Sequence, residues 1–180
     1  RDDRSTTYQR GDGSFVKELS DGLLNMQDDA GAWIPISTEV EKSAGDLNVE
    51  DHPLEPRFAL QANAADGVKL SADGHDISFT AAGLSGAKAE ITGTDRDTVL
   101  YRNVQSGVDL QYEVQTDGVK ETFVLSKAPT AAPRWTWTLK AGTLTPKLED
   151  DGTVILTDTS GATVMHIPTP VAWDSSGMAG

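Results

Sequence analysis

The sequence predicts an all-β protein: an antiparallel β-sandwich, or two packed antiparallel sheets rich in hairpins, with little helix. Three observations lead there. Apolar residues do not recur at helical spacing over any useful length. Short runs rich in Val, Ile, Thr, Leu and aromatics are separated by Gly, Asp, Asn and Pro, the pattern of strands and turns. Asp-Gly occurs at 12–13, 21–22, 66–67, 73–74, 117–118 and 151–152, and that dipeptide suits the positive φ angles of tight hairpin turns.

The elements follow in chain order. Strands are predicted at 14–19, 23–27 and 32–36, each bounded by an Asp- or Gly-containing turn. The stretch 38–52 is polar, acidic and poor in β-branched residues, so it reads as a loop. Strands are expected again at 57–61, 68–71, 76–80, 88–92 and 98–102, with "AAGLSGA" at 81–87 as a turn. The clearest hairpin is 101–125. Val108, Leu110, Tyr112 and Val114 fall on one face, and Asp109, Gln111, Glu113 and Gln115 on the other. Asp117-Gly118 turns the chain, and Val119, Glu121, Phe123 and Leu125 alternate with Lys120, Thr122 and Val124 on the way back. "SKAPTAAPR" at 126–134 precedes strands at 134–140, 153–157 and 162–167. The chain is expected to be a single module over 1–180, with a two-lobe alternative of 1–127 and 128–180. The stretches 12–36 and 151–173 share a plan of Asp-Gly, strand, Asp-rich turn, Gly and apolar strand, which convergence on hairpin chemistry explains.

Composition narrows the partners. The chain of 180 residues carries 15 basic and 28 acidic residues, a formal charge of −13, and no cysteine. A field of that sign repels phosphate backbones and anionic lipids, so nucleic acid is not expected as a partner. No apolar run approaches the roughly 20 residues that span a bilayer, so membrane insertion is not expected either. Thiolate metal sites, a cysteine nucleophile and disulfides are excluded. A start at Arg1 without a signal peptide reads as a mature or trimmed product.

No catalytic constellation stands out, and the chain reads as a non-enzyme. The three histidines, His52, His75 and His166, are isolated, and His166 in "TVMHIP" reads as a structural imidazole. There is no Gly-x-Ser-x-Gly elbow. Asp28-Asp29, Asp95-x-Asp97 and Asp150-Asp151 put oxygen ligands in turns that could suit calcium, but the simpler reading is that these aspartates cap their own backbone. Arg10-Gly11-Asp12 spells a cell-adhesion tripeptide inside what looks like a tight turn, and is read as coincidence. Trp135 and Trp137, two apart with Leu139, share one strand face. Burial in an inter-sheet core is the first expectation for them, and a surface platform for a ligand such as a sugar ring the second.

Residues 98–173 resemble a known family. The likeness rests on "VLYRNVQSGVDLQYEVQTDGVKETFVLSKAP", "WTWTLKAGTLTP" and "DGTVILTDTSGATVMHIPTPVAWDSSG", and on "TTYQRGDGSFVKELSDGLLNMQDDAGAWIPIST" near the start. These are similar to the N-terminal β-rich region of secreted bacterial RHS/YD-repeat proteins, including wall-associated and polymorphic-toxin relatives. The resemblance implies a non-enzymatic structural or interaction module of a larger secreted or cell-surface protein, located outside the cell or in the cell wall. Its partners would be the remainder of the parent polypeptide, another protein chain, or cell-wall glycan. A carbohydrate-binding or adhesive sandwich, with or without calcium, is the alternative.

Overall fold

The computed structural model describes residues 1–131, 133–174 and 177–178. The chain opens with two hairpins, β1 (Ser5–Gln9) with β2 (Phe15–Leu19) and β3 (Asn25–Gln27) with β4 (Trp33–Pro35). Next come β5 (Glu41–Lys42), β6 (Asp46–Asn48), β7 (Arg57–Ala59), β8 (Val68–Ala72), β9 (His75–Ala81) and β10 (Ala89–Thr92). The long meander is β11 (Thr98–Gln105), β12 (Val108–Gln115) and β13 (Gly118–Leu125). The rest comprises β14 (Trp137–Lys140), β15 (Thr145–Leu148), β16 (Val154–Thr157), β17 (Thr163–Ile167), β18 (Trp173–Asp174) and β19 (Gly177–Met178). Among the described residues there is no helix, hence none long and apolar enough to cross a membrane.

Two sheets build the main core. One has six strands in the order β14-β9-β8-β7-β6-β5, the other four in the order β10-β11-β12-β13, and every pairing is antiparallel. Phe58 and Val68 of the first sheet meet Val99, Tyr101, Leu110, Tyr112 and Val114 of the second. The alternation expected for 108–114 therefore holds, with Leu110, Tyr112 and Val114 buried. Tyr112 is the hub: its ring lies 5.6 Å from Phe58, 6.3 Å from Phe79 and 6.2 Å from Tyr101, the last edge-on.

A second cluster gathers Ile77, Leu144, Leu156 and Met165. Leu70 packs against both clusters, and Leu70 pairs with Ile77, as Val68 and Leu139 both do with Phe79. One face of the six-stranded sheet is thus covered by the four-stranded sheet along part of its length and by β15-β16-β17 along another.

The turns explain the likeness of 12–36 to 151–173. At 10–14, 28–32, 149–153 and 158–162 the first residue donates its N–H to the carbonyl of the fifth, and the fourth, a glycine, donates to the carbonyl of the first. Gly13, Gly31, Gly152 and Gly161 all have φ between +78° and +89°, the left-handed position of a type I turn with a G1 bulge. Asp12 Oδ1 accepts from Ser14 N–H at 2.9 Å, and Asp28, Asp151 and Asp158 do the same for their own turns.

Three local expectations are corrected. The stretch 38–52 is not a simple loop: it holds β5 and β6 and buries Val40, Leu47, Val49 and His52. Strands of two and three residues leave too little alternation to read. The β12–β13 hairpin turns at Thr116-Asp117, and Gly118 already pairs with Gln115. The strand expected at 134–140 begins only at Trp137, although Ala82 N–H donates to the Thr136 carbonyl.

Candidate functional site

Where β13 faces β14, one carboxylate joins the two main sheets. Glu121 lies on the apolar face of β13 between Val119 and Phe123, both of which pack on the core. Its Oε2 accepts from the Tyr112 hydroxyl at 2.7 Å and from the Trp137 indole N–H at 3.2 Å. Burial raises the Glu121 carboxyl above the ordinary carboxylate range, against the lowering effect of these two bonds. The Tyr112 hydroxyl is likewise pushed up, first by burial and then by the charge of Glu121.

Trp135 and Trp137 meet here on the ring of Phe123. Trp135 stacks on it at 4.7 Å and 11°, and Trp137 meets it edge-on at 5.8 Å. Neither tryptophan is buried as the strand alternation led one to expect. Trp135 is half-buried and Trp137 is 40% exposed, because β14 is the outermost strand of its sheet. The result is a partly open aromatic edge whose indoles are fixed by a stack and a hydrogen bond. A third indole, Trp173, is 51% exposed with the Lys120 ammonium 5.6 Å from its ring centre.

The histidines separate. His52 is buried, its Nδ1 accepting from Leu54 N–H at 3.0 Å and its Nε2 lying 2.8 Å from the Gln115 carbonyl. With Nδ1 an acceptor, Nε2 carries the proton and donates it to that carbonyl. His75 Nδ1 pairs with the Thr143 hydroxyl at 2.8 Å. His166 is exposed, not a core imidazole, since Met165 takes the inward position of β17. Among the described residues no three His, Asp or Glu side chains converge as metal ligands. Arg10-Gly11-Asp12 forms most of the β1–β2 turn.

Glu121 was missed by sequence reading, yet a signal existed: a carboxylate in register with Val119 and Phe123 on an apolar strand face needs partners there. Replacing Glu121 with Gln tests its state. The variant keeps an oxygen for Tyr112 and Trp137 but carries no charge. A carboxyl whose folded pKa is raised contributes stability below its unfolded pKa, and loses it as pH rises through the folded value. Glu121→Gln is therefore expected to be more stable than the parent at neutral pH, the gap closing toward pH 4. Urea unfolding across that range checks this, and a gap that ignores pH defeats it.

Comparison with known proteins gives distant relatives. No protein-family model matches the chain, and no solved structure does. The tRNA nuclease WapA of Bacillus subtilis (strain 168) is 25% identical over 186 aligned residues, covering 97% of this chain and 8% of that protein. The tRNA3(Ser)-specific nuclease WapA of Bacillus spizizenii and the tRNA(Glu)-specific nuclease WapA of Bacillus subtilis subsp. natto are each 24% identical over the same shares. The chain thus spans about 8% of the length of these curated relatives.

These matches correct the family and functional expectations. The relatives are named as tRNA nucleases, not as RHS/YD-repeat proteins. That displaces both the non-enzymatic structural module and the glycan-binding alternative, and with them the reading as a non-enzyme. It also overturns the exclusion of nucleic acid. A net value of −13 averages over the whole surface, whereas contacts to RNA are local, so net charge alone does not exclude such a partner.

Proposed function

We propose that this chain is one segment of a large protein that cleaves tRNA, and that it handles RNA through the aromatic edge of Trp135 and Trp137. One observation carries the reading: 25% identity across 97% of the chain with a protein named for that activity. Since the chain spans about 8% of that relative, cleavage is assigned to the longer protein as a whole. The aromatic edge supports a part in it. Bases stack on aromatic faces for about 1–3 kcal/mol each, with little regard to sequence, and here the indoles are already held in place, which lowers the ordering cost of binding.

The test is to incubate bulk tRNA with the isolated chain and with the longer protein, and to follow cleavage on denaturing gels. Cleavage by either supports the reading, and cleavage by the longer protein alone places the bond-breaking groups outside these residues. Intact tRNA in both reactions overturns it. Trp137→Ala in the longer protein is expected to weaken tRNA binding about tenfold, within the range for one lost stack. Unchanged binding would remove the aromatic edge from this account.

A further inference from the structure

A second surface offers chemistry that the aromatic edge lacks. Where the end of β7 meets the start of β10, an open groove of about 550 Å³ lies between the two main sheets. Its floor is fixed backbone: Ala89 N–H donates to the Leu60 carbonyl at 3.0 Å, and Gln61 bridges to Lys88. Lys42 reaches it from β5 and Lys88 from the residue before β10. Leu60, 38% exposed, supplies an apolar wall, and Gln61 an amide.

Charge sets this groove apart. The chain has 28 acidic residues against 15 basic ones, yet among the described residues no carboxylate lines the groove. Lys69, Lys140 and Lys147 are each paired with an acid, whereas the side chains of Lys42 and Lys88 make no hydrogen bond or ion pair among the described residues. Of the acids nearby in sequence, Asp46 is engaged with Arg57 at 3.6 Å and Glu90 with Arg102 at 3.1 Å, and Glu41, beside Lys42 in β5, falls on the opposite face of that strand. At physiological ionic strength the Debye length is about 8 Å. Carboxylates farther away than that are screened, so an anion seated in the groove meets the field of the two ammonium groups and of the charges beside them rather than the net charge of the whole chain.

We propose that this groove binds the phosphodiester backbone of single-stranded RNA. Lys42 and Lys88 contact phosphate oxygens as point charges, the Gln61 amide meets a sugar or base edge, and Leu60 packs beneath a base. The proposal rests on the reading of the chain as part of a tRNA-cleaving protein, and names where that protein holds the strand.

The experiment titrates a fluorescein-labelled, unstructured RNA oligonucleotide with the full chain and follows anisotropy at several salt concentrations. The double variant Lys42→Glu/Lys88→Glu is expected to bind at least tenfold more weakly. Its slope of log affinity against log salt should be shallower by about 1.4, at roughly 0.7 per phosphate contact on a single strand. Lys17→Glu, an exposed lysine on β2 outside the groove, should stay within about twofold of the parent, and thermal unfolding confirms that all variants fold. Equal losses in the groove and control variants, or no binding by the parent chain, overturn the proposal. A longer protein that cleaves tRNA while the groove variants bind RNA normally overturns the groove alone. Intact tRNA in the cleavage assay overturns the broader reading by itself.

Discussion

Replacing Phe58 with alanine is expected to lower the unfolding free energy by about 3–5 kcal/mol, the usual range for removing a buried phenyl ring. Phe58 is fully buried in β7, an interior strand of the six-stranded sheet, with its ring on the hub residue Tyr112. Its loss opens a cavity between the sheets rather than at a rim. The backbone beside it is also held from the opposite sheet, since the Tyr101 hydroxyl donates to the Ala59 carbonyl at 2.6 Å. That bond resists collapse into the void. Chemical denaturation with an unchanged m-value would give the number. A loss below about 1 kcal/mol would mean that the two sheets do not share this core.

His52→Ala is the second large effect, expected at about 3 kcal/mol. The substitution removes the partner of the half-buried Leu54 N–H and one bond to the Gln115 carbonyl, and empties the buried site of the imidazole; a lost polar partner costs about 1–3 kcal/mol, and the cavity adds to it. It also severs a tie between the end of the 38–52 stretch and the tip of the β12–β13 hairpin. Burial lowers the His52 pKa, outweighing the raising effects of Gln115 and Asp117. A histidine held neutral contributes stability above its unfolded pKa, and loses it as pH falls through the lower folded value. The parent should thus weaken on acidification from about pH 6.5, and His52→Ala should lose that part of the slope. Unfolding curves at pH 7 and pH 5 check both points, and an identical pH slope in the variant would refute the buried neutral imidazole.

Much of the architecture was legible because it is local. β12 and β13 alternate over eight residues each, and the glycine-containing turns require backbone that few other residues adopt. What escaped reading depends on distant partners. β5 and β6 are strands only because they extend a sheet whose other members come later. Val40 is buried beneath the turn at Arg96, to whose carbonyl its N–H donates. Trp137 shares a strand with Leu139, yet only Leu139 lies far enough under the second cluster to be covered. The candidate site was half visible: the two tryptophans could be picked out, but Glu121 and Tyr112 become a site only once β14 lies beside β9. Lys42 and Lys88, far apart in sequence, meet only where the two sheets join.

That late pairing of β14 with β9, Trp137 opposite Ala81 and Lys140 opposite Ser78, bears on how the protein is made. β9 leaves the ribosome well before its neighbour, and at about 5–20 residues per second the delay lasts several seconds. Through that time β9 is an unpaired sheet edge, and Ile77 and Phe79 await part of their cover. An open apolar edge invites pairing with another nascent chain. The early hairpins close in microseconds, so the hazard of misassembly during synthesis is concentrated in the interval between β9 and β14.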